Sequence, residues 1–140
     1  MIYWFTGQPG SGKTVLATKL KDFLQTEKRN WRKDVFHIDG EEYDIEQSQT
    51  ICSFLNDNKC DVVVSSISAN IKEREEFKFT MGDDIIEIYV HTNRKKNRDE
   101  NKLKNYQAPE VSFFDMDTTS DNSTQSFTKL IHHLREVNKL

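Results

Sequence analysis

Only two cysteines, Cys52 and Cys60, occur in the 140 residues, and their spacing forms neither a CxxC redox pair nor the ligand set of a structural zinc site. The chain therefore reads as one that folds without disulfide or metal staples and keeps its thiols reduced. No apolar run approaches the roughly 20 residues that span a bilayer, and Met1-Ile2-Tyr3-Trp4-Phe5 lacks the basic segment that opens a secretory leader. A cytoplasmic protein with no membrane partner is the expectation. An excess of one charge is missing as well. Twenty Lys+Arg stand against 23 Asp+Glu, a net charge of -3, which argues against a whole surface built to meet nucleic acid and leaves room only for a local basic patch. No repeat, low-complexity tract or linker divides the sequence, and its length suits one domain over residues 1–140. What is present is apolar bulk: nine Phe, four Tyr and two Trp, more than a disordered chain carries.

Hydrophobic periodicity places the elements. Ile2 to Thr6 is a short apolar strand, and Val15, Leu16, Leu20, Phe23 and Leu24 recur at helical spacing to about Lys28. A second strand covers Asp34 to Asp39, and a helix covers Glu41 to Leu55, ending at Asn56-Asp57-Asn58. The three valines of Asp61-Val62-Val63-Val64-Ser65-Ser66 suit a strand covered on both faces. A charged helix from about Ile71 to Phe79 stops near Gly82, and Ile85 to Val90 is a fourth strand. Val111 to Met116 is a shorter fifth. Asn122 with Gln125 forms a capping box ahead of an apolar stripe of Phe127, Leu130, Ile131 and Leu134. Strands alternating with helices predict an α/β fold with right-handed crossovers, a parallel sheet and helices on both faces. Thr92 to Ala108 is polar and basic and is not core. Trp4, Trp31 and Phe113-Phe114 are expected to pack. The adjacent His132 and His133 face different directions on a helix, cannot share one metal ion, and read as surface residues.

The motif that carries chemistry is Gly7-Gln8-Pro9-Gly10-Ser11-Gly12-Lys13-Thr14, a full GxxxxGK[ST] between an apolar strand and an amphipathic helix. Glycines let backbone wrap around phosphates, N–H groups at the helix start point at the anions, and Lys13 adds a cation expected to face solvent before ligand binds. Thr14 offers a hydroxyl to Mg²⁺. ATP and Mg²⁺ are the implied cofactors. No guanine-reading NKxD follows, and the third strand ends in Ser65-Ser66 rather than the acidic pair of a motor ATPase. The acidic cluster ends the second strand instead, at Asp39-Gly40-Glu41-Glu42, facing the loop across the carboxyl edge of the sheet.

Asp39-Gly40-Glu41, Val64-Ser65-Ser66-Ile67-Ser68 with Arg74, Glu87-Ile88-Tyr89-Val90, and Tyr106-Gln107-Ala108-Pro109-Glu110 running to Asp117-Thr118 stand in an order that resembles the adenylylsulfate kinase family. That resemblance implies a three-layer P-loop NTPase fold with five parallel strands in the order 2-3-1-4-5. It also implies transfer of the γ-phosphoryl of ATP to the 3′-hydroxyl of adenylyl sulfate. Ser66, Ile67, Ser68 and Arg74 then join Asp39 and Glu41 around the acceptor, a small nucleotide-like molecule. Glu41, at the family's second Asp, orients the acceptor hydroxyl, and Asp39 holds Mg²⁺ through water. Asp117 and Thr118 form the loop beneath the adenine. A lid runs over about 92–108, where Arg98 with Asp99 resembles the family's Arg-Asp pair and supplies a cation to the transition state.

The departures fall on the acceptor side. Asp44 stands where the family has an arginine, and no Arg or Lys lies between Glu41 and Asn58. The family's Ile-Ser-Pro-Tyr-Arg becomes Ile67-Ser68-Ala69-Asn70-Ile71. Two other readings stay open: a kinase for a different activated nucleotide or a nucleic-acid end, and a degenerate protein that binds ATP without transfer. A homodimer is also left open.

Overall fold

The computed structural model describes residues 1–26, 34–94 and 102–140. Five strands, β1 (Ile2–Thr6), β2 (Val35–Asp39), β3 (Asp61–Ser65), β4 (Ile85–His91) and β5 (Phe113–Asp117), form one parallel sheet in the order β2-β3-β1-β4-β5. The helices are α1 (Lys13–Thr26), α2 (Ile45–Asp57), α3 (Ile71–Met81) and α4 (Ser123–Glu136). This is the three-layer P-loop fold with the expected strand order.

The period of two along β1 divides the core. Tyr3 and Phe5 point to one face, where they meet Leu16, Leu20 and Leu24 of α1 and Leu130 and Leu134 of α4. Ile2 and Trp4 point to the other, against Cys52 of α2 and Phe77 of α3. All five residues of β1 and of β3 are buried, as strands covered on both faces must be. Trp4 packs edge-on to Phe77 at 5.4 Å between ring centroids, and its indole N–H donates to Ser68 Oγ at 3.2 Å. Among the described residues no helix is long and apolar enough to cross a membrane.

Two elements begin later than expected by two residues or more, and the other boundaries shift by one or two. α2 begins at Ile45 rather than Glu41, because Asp39 gathers the preceding residues into a turn. Its carboxylate accepts from Glu41 N at 3.0 Å and its carbonyl accepts from Glu42 N and Tyr43 N. Asp44 then closes a capping box with Gln47. β5 begins at Phe113 rather than Val111, because Ser112 has a left-handed φ of 51° and Val111 is exposed. The capping box of Asn122 with Gln125 forms as the sequence predicts. α3 ends at Gly82, φ 58°, also as predicted. His132 is exposed, but His133 is half-buried, its ring stacked on Phe114. Lys28, Trp31 and Arg98 lie outside the described residues.

Candidate functional site

Gly7 to Thr14 joins β1 to α1 at the carboxyl edge of the sheet. Gly7 must be glycine, because a Cβ there would sit 2.2 Å from the carbonyl oxygen of Val90. Gly12 has a φ of 101°, a conformation glycine adopts at no steric cost. These two positions set the curl of the loop around the first turn of α1.

Lys13 departs from its expected exposure. It is 8% exposed, and its Nζ donates to the carbonyl of Gln8 at 2.8 Å. The stem lies along the loop instead of pointing to solvent. Burial pushes the ammonium down to a pKa of about 8, while Glu41 and then Asp39 pull it back up. Both carboxylates are therefore electrostatic neighbours of Lys13, although β3 stands between their strand and β1 in the sheet.

A cavity of about 620 Å³ opens between the loop and the ends of β2 and β3. Lys13 and Thr14 line one side; Asp39, Gly40 and Glu41 line another; Ser66, Ile67 and Ser68 line a third. Gly40 packs so closely that a Cβ would meet Ser66 Cα at 2.9 Å, and its N–H donates to Ser65 O at 2.8 Å. That contact holds the Asp39 turn against the end of β3. Ser68 Oγ donates to Ser66 Oγ at 2.8 Å, and Thr14 is exposed to the cavity.

Arg74 does not reach this cavity. Its Nε donates to Glu87 Oε2 at 3.1 Å with both side chains buried, and its other nitrogens donate to the carbonyls of Ser68 and Gln107. Lys78 shares Glu87 at 3.2 Å. A buried carboxylate on β4 needs a cation, and α3 supplies it, so the guanidinium is spent on the fold rather than on an acceptor.

On the other side of the loop a second cavity, about 260 Å³, is lined by Ser11, Thr92, Arg94, Thr118 and Ser126 among others. Thr118 Oγ1 donates to His91 O at 3.1 Å and to Ser11 O at 3.3 Å, tying the loop after β5 to the phosphate loop. The hydroxyls of Ser11 and Ser126 are buried there without a partner among the described residues. Asp117 is exposed, accepts from Thr119 N at 2.9 Å and lines neither cavity.

Of the expected lid, residues 95–101 lie outside the described residues. The segment after them is strapped down. Gln8 pairs both ways with the backbone of Leu103, at 3.0 and 2.9 Å. Tyr106 shares a hydrogen bond of 2.9 Å with Thr6 Oγ1, and Gln107 N donates to Ala69 O at 2.9 Å.

Sequence reasoning gave no site role to Tyr43 and Glu73, which line the larger cavity, and took Asp44 and Asn70, which also line it, only as acceptor-side departures from the family pattern. Tyr43 and Asp44 line the cavity from the β2–α2 turn, and Asn70 and Glu73 from the start of α3. Their signal was positional: each follows a strand whose carboxyl end faces the phosphate loop. It also missed the 2.8 Å hydrogen bond between Ser65 Oγ and His37 Nε2, formed because both side chains point to the α1 face of neighbouring strands.

The family model described as Nephrocystin 3, N-terminal matches residues 1–104. A protein of Aeropyrum pernix named Probable adenylyl-sulfate kinase is 49% identical over 41 residues, which is 29% of this chain and 20% of that protein. The chain thus aligns with one fifth of that relative's length. The Mycobacterium tuberculosis APS kinase, in a cysteine-to-alanine mutant, superposes with a TM-score of 0.70 at 18% identity, covering 96% of each chain. A hexameric APS kinase from Thiobacillus denitrificans gives 0.75 at 16% identity, covering 99% of this chain and 29% of that one. The resemblance to adenylyl-sulfate kinases read from the motifs is thus present in a stretch of sequence and in the fold.

Proposed function

The chain belongs to the Nephrocystin 3, N-terminal family, and on that premise we propose that it acts as an ATP-dependent phosphotransferase whose acceptor is the hydroxyl of a small molecule. The observation that carries this reading is the sharing of one cavity by a complete phosphate loop and the Asp39 and Glu41 carboxylates. Donor and acceptor chemistry then meet at one edge of the sheet, where ligands of open α/β folds bind.

Each residue takes a role from its place. The loop Gly7 to Thr14 holds the triphosphate, with Lys13 exchanging the Gln8 carbonyl for phosphate oxygens. The residues present fit a divalent ion of the phosphate-held kind. Thr14 and Asp39 line the same cavity, whereas no group of three or more His, Cys, Asp or Glu among the described residues could cage a metal alone. Bound Mg²⁺ would neutralise charge on the phosphates. Thr118 and the second cavity suit the adenine, with Asp117 ordering the turn beside it. Glu41 takes the proton of the acceptor hydroxyl as its oxygen bonds to the γ-phosphorus and the bond to ADP breaks. Ser66, Ile67 and Ser68 form the acceptor's floor. Arg98 is the lid cation by resemblance. Among acceptors, that resemblance puts adenylyl sulfate first.

The test is Glu41→Gln, with turnover and MgATP affinity measured separately on the acceptor used best. Turnover should fall about a hundredfold or more with MgATP affinity nearly unchanged, since the amide keeps the shape and loses the base. Equal losses in both would move Glu41 to the metal, and no loss in either would remove it from the reaction.

A further inference from the structure

The larger cavity is a ligand site because the phosphate loop opens into it, and the charge on its wall says what else it takes. Four carboxylates line it, Asp39, Glu41, Asp44 and Glu73, and Lys13 is the one cation among the described lining residues. Under the proposed function Lys13 belongs to the triphosphate. Arg74 of α3 is locked onto Glu87 and does not line the cavity. With Asp39 on the divalent ion, an acceptor bearing sulfate and phosphate would face the three remaining carboxylates, Glu41, Asp44 and Glu73, with no cation left among the described lining residues. A separate feature points the same way. Tyr43, 40% exposed, lines the same wall between Glu41 and Asp44 and offers an aromatic face beside carboxylates, the arrangement that holds ammonium groups.

We infer that the acceptor is a cationic alcohol: a hydroxylated amine whose ammonium groups are held by Asp44, Glu73 and Tyr43 while a hydroxyl is presented to Glu41. This deepens the kinase reading and rests on it. Asp44 is the N-cap of α2 and Glu73 lies in the first turn of α3, so each carboxylate is held at a helix start on the cavity wall. The wall is thus negative before any ligand arrives, which favours a cation in both encounter and binding.

The probe is the diaminocyclitol streptamine, compared with its N-acetylated form, which keeps the ring and loses the charge, and with adenylyl sulfate. Each is titrated calorimetrically into the full chain saturated with a non-hydrolysable MgATP analogue. Streptamine should bind about tenfold or more tightly than either of the others, as expected for one to two charge-assisted contacts. The double variant D44N/E73Q removes two charges, and asparagine remains a good N-cap, so α2 keeps its start. It should weaken streptamine about four- to twenty-fivefold, at two- to fivefold per exposed pair, and leave the N-acetylated form unmoved. Tyr43→Leu should cost streptamine about two- to fivefold. Adenylyl sulfate binding as tightly as streptamine, equal binding of the acetylated form, absence of streptamine binding, or a D44N/E73Q variant that binds streptamine like wild type would each overturn the inference. Failure of wild type to bind the MgATP analogue is a separate result, and it would bring down the kinase reading beneath it.

Discussion

Lys13 and Arg74 are both buried cations, and they are buried to different ends. Lys13 has its ammonium on one backbone carbonyl, in surroundings that already disfavour its charge. Lys13→Ala should therefore leave the thermal midpoint within a few degrees of wild type. The same substitution should weaken MgATP binding about ten- to a hundredfold, measured by calorimetry, because a charge-assisted contact to phosphate is lost. Unchanged MgATP affinity would remove the loop from nucleotide binding. Arg74 has three anchors on three segments, Glu87 of β4, the carbonyl of Ser68 and the carbonyl of Gln107. Arg74→Ala leaves Glu87 with Lys78 alone, and should cost about 3 to 5 kcal/mol in urea unfolding. A loss under about 1 kcal/mol would mean that the buried pair is not what holds α3 to the sheet.

At the scale of elements, the turn from β2 into α2 decides where the carboxylates stand. Asp39 caps its own turn, Gly40 lies against Ser66, and Asp44 begins the helix, so Glu41 is carried on a turn pinned at three residues. Gly40→Ala should destabilise the protein by about 1 to 3 kcal/mol through overpacking, and should reduce turnover more than MgATP affinity, since Glu41 moves and the loop does not. Turnover equal to wild type in that variant would show that the close approach does not position Glu41. The sequence made the strands, the capping box of α4, the stop at Gly82 and the phosphate loop readable, because each is a local signal: a valine run, Asn122 with Gln125, a glycine, a complete motif. The start of α2 was not readable at Glu41. Acidic residues favour a helix's first turn, and nothing local announces that the Asp39 side chain has already claimed the N–H of Glu41. The burial of Arg74 was unreadable for another reason: its partner Glu87 lies on a strand, and only the packing of α3 over β4 brings the two together.

Over the whole molecule, the sheet order places the phosphate loop of β1 beside β3 and one strand away from β2, so three loops that are distant in sequence share one carboxyl edge. The residues of the phosphate loop were legible because they are contiguous, Gly7 to Thr14. The wall of the larger cavity was only half legible, since Tyr43 and Glu73 acquire meaning from the cavity they line and not from their neighbours in the chain. The claim on which the account stands is transfer to an acceptor, as opposed to nucleotide binding alone. A coupled assay of ADP release from MgATP, run on the wild-type chain with and without a hydroxyl acceptor from the set of streptamine and adenylyl sulfate, tests it most directly. The account predicts release near background without acceptor and a rise of about tenfold or more when one is added, because a bound hydroxyl aligned with the γ-phosphorus outcompetes water. MgATP that binds while neither acceptor raises ADP release would contradict it.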